Sequence, residues 1–232
     1  MAQESEEIMT SDIILCGVGG QGGLSVSVVI ARAAMALGFH VKQSELHGMS
    51  QRGGEVLAHL RISDREIYSP TIPKGRADII FAFEPLEALR HLSWLSAEHG
   101  TVVAATAPTL NIPNYPDIGS VLEEIRKMPR ARLIDADALA KQAGNVRSAN
   151  LVLVGAAADL LPISSEAIEK EIVAFFSKKG EAVVQYNSLC CVVLCVMCFE
   201  GIKAPVSLSS LPIHTCVLRA CFFSLSQRDT DS

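Results

Sequence analysis

The sequence predicts an α/β protein in three layers, with a mostly parallel sheet between two layers of helices. Three observations carry the prediction. The apolar run Ile13-Ile14-Leu15-Cys16 breaks into Gly17-Val18-Gly19-Gly20-Gln21-Gly22-Gly23 and re-emerges as a helical stretch from Leu24 to Leu37, the opening unit of a doubly wound, Rossmann-like domain. Ala77 to Phe83 and Thr101 to Thr106 are continuous apolar runs of the kind that strands buried on both faces require. Beyond them, strand-like and helix-like segments alternate, the pattern of a layered α/β sheet.

The remaining elements follow in order. Phe39 to Ser44 reads as a second strand, and a polar, glycine-bearing connection runs from Leu46 to Gly54. Alternation returns in Glu55 to Ile62. Ser63-Asp64 reads as a turn into a short strand, Arg65 to Tyr68, so a β-hairpin is expected as an insertion in the α/β pattern. Glu84-Pro85 starts a helix over Leu86 to Leu92, with proline in the first turn, where its missing N–H costs nothing. Ala107 to Asp117 carries three prolines and is expected to be irregular. Helix Ile118 to Met128 and strand Arg132 to Ile134 form the next pair. Helices Ala136 to Ala143 and Leu151 to Leu161 flank a break at Gly144-Asn145, and Ser164 is placed to cap a helix over Glu166 to Phe176.

Composition narrows the function. The chain has 232 residues, 49% of them hydrophobic, enough for a substantial core. A net charge of −5 without any lysine or arginine cluster offers no field for nucleic acid. Met1 to Thr10 is acidic and polar, unlike an export signal. Of seven cysteines only Cys16 lies outside the last quarter, so no disulfide framework spans the domain and a reducing cytoplasm is expected. The apolar run Ser188 to Phe199, with Cys190, Cys191, Cys195 and Cys198, is too short for the ~20 residues of a bilayer span. It reads as a buried helix, small apolar packing being favoured over metal or iron–sulfur ligation. The tail 202–232 shows no period and is expected to be loosely ordered.

Glycines at a strand-to-helix turn leave backbone N–H groups open to an anion. Three readings of Gly17 to Gly23 stand: a tight turn without a ligand, an NAD(P) or flavin site with Glu45 on the ribose, or a contact with a partner subunit or its cofactor. Arg52 either forms a two-pronged bond to a carboxylate or phosphate or locks its own loop. His47 is read as a turn residue that could titrate near neutrality. Ser50 and Gln51 fix the loop's hydrogen bonds. Glu84 and Glu87 are read as capping rather than catalytic.

GVGGQGG at Gly17 to Gly23, ELHGMSQRGG at Glu45 to Gly54 and FEPLEALR at Phe83 to Arg90 together resemble the small subunit of indolepyruvate ferredoxin oxidoreductase. That subunit is similar to the gamma subunit or domain of the pyruvate and 2-oxoacid ferredoxin oxidoreductases. The likeness spans residues 11–201, a gamma-type catalytic domain, and departs from the family at the cysteine-rich run and tail. It implies a cytoplasmic enzyme acting on an arylpyruvate, which is decarboxylated on thiamine diphosphate and oxidised through iron–sulfur clusters to ferredoxin, with coenzyme A as co-substrate. This chain has no GDG motif for a magnesium diphosphate and no C-x-x-C-x-x-C run. The resemblance therefore implies that a large partner subunit carries thiamine diphosphate, magnesium and the clusters, with no catalytic residue, metal or tightly bound cofactor on this chain. Contact with that partner or a cofactor falls to Gly17, Gly19, Gly20, Gln21, Gly22, Gly23, His47, Ser50, Gln51, Arg52 and Gly53. No nucleic acid and no membrane is involved.

Overall fold

The computed structural model describes residues 9–47, 54–110, 112–180, 183–188 and 191. Among them a six-stranded sheet runs in the order β2-β3-β1-β4-β5-β6. Its strands are β1 (Thr10–Val18), β2 (His40–His47), β3 (Glu55–Ser63), β4 (Ile79–Ala82), β5 (Thr101–Ala105) and β6 (Ala131–Ile134). The pairs β1–β4, β4–β5 and β5–β6 are parallel, whereas β3 is antiparallel to both β1 and β2. The parallel half is the doubly wound sheet; β2 and β3 are the inserted hairpin.

The alternation of β1 divides the core. Ile13 and Leu15 face one layer, α1 (Gly23–Ala36), α4 (Ala136–Gln142), α5 (Ala149–Ala156) and α6 (Ser165–Phe176). Ile14 and Cys16 face the other, α2 (Pro85–His91) and α3 (Ile118–Arg126). Both faces of β4 and β5 are buried, as their uninterrupted apolar sequences require. Every residue of α5 from Leu151 to Ala156 is buried, which explains why that helix is apolar all round. Helix starts follow their caps: Glu84 accepts from the Glu87 N–H, Asp117 from Ser120, Asp135 from Ala138 and Ser164 from Ala167.

One expected element is corrected. Arg65 to Tyr68 is not a strand. Both edges of β3 are already paired, to β1 and to β2, so no ladder is open to the segment that follows. The chain just beyond it is tied to β3 by side chains: Arg61 donates to the Ser69 carbonyl at 3.2 Å, and the Ile72 N–H donates to His59 Nδ1 at 3.2 Å. The expected hairpin of Glu55–Ile62 with Arg65–Tyr68 does not form; the antiparallel insertion is instead the β2–β3 pair. The helix read as Leu151 to Leu161 ends earlier, passing into a 3₁₀ turn at Ala158–Leu160. Residues 183–188 are helical, and buried Asn187 accepts from the Ser148 hydroxyl at 2.7 Å. Cys191 is buried; Cys190, Cys195, Cys198 and the tail 202–232 lie outside the described residues. None of the described helices is long and apolar enough to cross a membrane.

Candidate functional site

The glycine turn between β1 and α1 is closed on itself by Gln21. Its side-chain oxygen accepts from the Val18 N–H at 2.7 Å, and its amide nitrogen donates to the Phe83 carbonyl at 2.9 Å and the Thr109 hydroxyl at 3.1 Å. One side chain thus joins the carboxyl ends of β1, β4 and the segment after β5. The Gly19 N–H donates to the Gly54 carbonyl at 2.8 Å, and the Gln21 N–H to Val18 at 3.2 Å. These two donors, expected to be available for a ligand, are used internally. The N–H groups of Gly20 and Gly22 have no partner among the described residues.

Gly22 caps α1 with φ 78°, and a Cβ there would lie 2.6 Å from Asn150 Nδ2. Asn150 in turn donates to the Gly22 carbonyl at 3.2 Å. At Gly23 a Cβ would come within 2.9 Å of the Phe83 ring. Helix α1 therefore approaches the Phe83 and Asn150 side chains as closely as only glycine allows.

The turn opens into a cavity of about 430 Å³ lined by Gly20, Gln21, Gly22, Thr109, Arg147 and Asn150, among others. It lies beyond the carboxyl ends of β1 and β5, at the point where the chain's winding reverses, the usual ligand crevice of an open α/β sheet. Exposed Arg147 and Asp137 stand at its wall. Thr109, Asn150, Arg147 and Asp137 were not found from sequence. They come from a proline-containing connection and from helix starts more than a hundred residues past the glycines, and no local pattern links them to the turn.

Glu45, expected at a ribose, is elsewhere. It lies on β2 opposite Ala58 of β3, which in turn lies opposite Leu15 of β1. Two strand spacings, about 10 Å, separate it from β1. Its carboxylate accepts from Gln43. The antiparallel insertion removes the adjacency that a dinucleotide site needs. The backbone of His47 ends β2; its side chain, and Ser50, Gln51, Arg52 and Gly53, lie outside the described residues. Gly17 belongs to β1 and pairs with Val56.

Below the turn, Glu84 and Glu87 act on α2. Glu84 caps the helix and also accepts from the Thr109 N–H at 3.3 Å and from the Tyr115 hydroxyl, so the capping role is observed. Burial, then the bond to Glu84, raises the Tyr115 phenol well above its ordinary value. Glu87 is buried, and its Oε1 accepts from Arg90 at 2.9 Å; burial raises its carboxyl. Burial also raises the Cys16 thiol, with the Glu87, Glu84 and Glu55 carboxylates adding to the effect. Cys16 is thereby an inert core residue rather than a nucleophile.

The sequence profile of the pyruvate ferredoxin/flavodoxin oxidoreductase family matches residues 12–190. The indolepyruvate oxidoreductase subunit IorB of Archaeoglobus fulgidus is 40% identical over 153 residues, covering 63% of this chain and 75% of that one. Among solved structures, the gamma subunit of a keto/oxoacid ferredoxin oxidoreductase from Geobacter sulfurreducens aligns with a TM-score of 0.60 at 23% identity, over 82% of this chain and 99% of that one. A 2-oxoglutarate:ferredoxin oxidoreductase from Magnetococcus marinus aligns with a TM-score of 0.66 at 23% identity, covering 84% of this chain but 32% of that longer chain. This protein belongs to the pyruvate ferredoxin/flavodoxin oxidoreductase family. Within it, the chain is an oxidoreductase subunit of the gamma-type α/β fold, and the resemblance carried by its three motifs is borne out.

Proposed function

We propose that this chain is the small subunit of a cytoplasmic, heteromeric indolepyruvate or arylpyruvate ferredoxin oxidoreductase, and that its glycine-turn cavity receives the phosphate-bearing part of coenzyme A in the assembled enzyme. In such an enzyme the 2-oxoacid loses carbon dioxide, its acyl group is joined to the coenzyme A thiol, and two electrons pass to ferredoxin. Thiamine diphosphate, magnesium and iron–sulfur clusters would supply that chemistry from a large partner subunit. The described cysteines, Cys16 and Cys191, are buried in opposite layers of the fold, where they cannot converge on one cluster.

The observation that carries the proposal is the cavity itself, at the carboxyl edge of the sheet beside the glycine turn. This chain's part there is to bind and orient. The N–H groups of Gly20 and Gly22 and the positive end of α1 favour an anion. Arg147 on the facing wall adds a guanidinium suited to phosphate, and Gln21 holds the turn in shape. Exposed Leu110 and Val146 flank the same region and offer apolar surface to a partner.

The test is the co-expressed complex assayed with varied coenzyme A. In Arg147→Glu the KM for coenzyme A should rise about tenfold, as loss of a charge-assisted contact predicts, with little change in KM for the 2-oxoacid. Equal coenzyme A kinetics in the variant and the parent complex would overturn the assignment.

A further inference from the structure

On the opposite side of β1 from α1, the start of β3 meets the end of α2 at a second cluster, one the preceding proposal does not use. Glu87 and His91 are four residues apart and share one face of α2. Glu55, the first residue of β3, reaches the same point. His91 Nε2 is 3.1 Å from Glu55 Oε1 and 3.7 Å from Glu87 Oε2, and the ligand atoms of all three lie within 4.8 Å of one another.

The cluster is unsatisfied where it is deepest. His91 is 4% exposed and Glu87 3%. Neither ring nitrogen of His91 nor Oε2 of Glu87 has a hydrogen-bond partner among the described residues; the approach of Glu55 is close but out of line for a hydrogen bond. Polar atoms left orphaned in the interior lose their water without gaining a partner, which is unfavourable. The ring of His91 is held against Trp94, centroids 5.4 Å apart, and Arg90 occupies only Oε1 of Glu87, so Oε2 remains directed at the imidazole.

We propose that Glu55, Glu87 and His91 form a site for one divalent transition-metal ion, zinc in the first instance. Imidazole nitrogen and carboxylate oxygen both bind zinc, with bonds of about 2.0–2.2 Å, and three such ligands in a tetrahedron leave one position for water. Such bonds place neighbouring ligand atoms about 3.3 Å apart, between the 3.1 and 3.7 Å separations observed. The side chain of Glu55 is 50% exposed, which gives the ion a path in and the carboxylate freedom to close the last edge. The ion would fasten the start of β3, next to the carbonyl of Gly54 that holds the glycine turn, onto α2.

The experiment uses the full-length chain, stripped with chelator and dialysed against zinc alone, with metal content read by mass spectrometry and stability by thermal melting. One zinc per chain and a melting temperature that rises with zinc are expected. His91→Gln and Glu55→Gln should each weaken binding by at least the roughly 10- to 100-fold that loss of even an outer partner costs. Glu55→Gln is at the surface and tests the site if the buried variant does not fold. Cobalt in place of zinc should give tetrahedral visible bands without thiolate charge transfer. Zinc content unchanged in both variants, or cobalt spectra dominated by thiolate charge transfer, would overturn the site.

Discussion

The amide of Gln21 donates to the main-chain carbonyl of Phe83 at 2.9 Å, across 62 residues of sequence. The same side chain accepts from Val18, so the glycine turn and the end of β4 form one unit. Replacing Gln21 by leucine keeps the volume but orphans a part-buried N–H and a carbonyl. Urea denaturation should show a loss of about 1–3 kcal/mol. Gln21→Glu retains the Val18 bond yet sets a carboxylate against the Phe83 carbonyl, and should also destabilise.

Gly22 combines a left-handed φ of 78° with a Cβ position 2.6 Å from Asn150 Nδ2. Gly22→Ala should cost about 1–3 kcal/mol from the backbone alone, with a further loss from the clash. Adding Asn150→Ala should recover only part of the deficit, because it relieves the contact and not the backbone. The check is a double-mutant cycle by denaturation; full recovery would mean that the dihedral is unimportant.

Arg132 grips both oxygens of Asp159, at 2.6 and 2.7 Å, and the Ala156 carbonyl at 2.7 Å, tying β6 to the turn that ends α5. These bonds hold the Asp159 carboxyl below its ordinary range, against the opposing effect of partial burial. Since the folded value lies below the unfolded one, the stabilisation is present above the unfolded pKa of about 3.9 and is lost as pH falls through the folded value. Both groups are about a third exposed, and screening limits the effect to about 1 kcal/mol. Arg132→Gln should lower stability at neutral pH and flatten its acid dependence, measured by urea midpoints at successive pH values.

The parallel half of the sheet was legible because β4 and β5 are apolar without interruption and α2, α3, α4 and α6 announce their starts with Glu84, Asp117, Asp135 and Ser164. The hairpin was harder. An edge strand such as His40–His47 and a doubly paired one such as Glu55–Ser63 have similar local patterns, and only the pairing shows that Arg65 to Tyr68 has no edge to join. The same pairing displaced Glu45 from the glycine turn. At the site, the glycines and Gln21 were visible as a motif, whereas Thr109, Arg147 and Asn150 reach it through tertiary packing. Glu87 reads from sequence as a helix-start carboxylate; its burial beside His91 comes from the packing of α2 against β1, β4 and β5, which no spacing within the helix reveals.

The function proposed for this chain requires a partner subunit that holds the redox centres. The decisive measurement is ferredoxin reduction with indolepyruvate and coenzyme A, made on this chain alone and on the complex isolated with its large subunit. The prediction is no turnover by the isolated chain and full activity in a complex containing thiamine and iron. Turnover by the purified chain without a companion would contradict it.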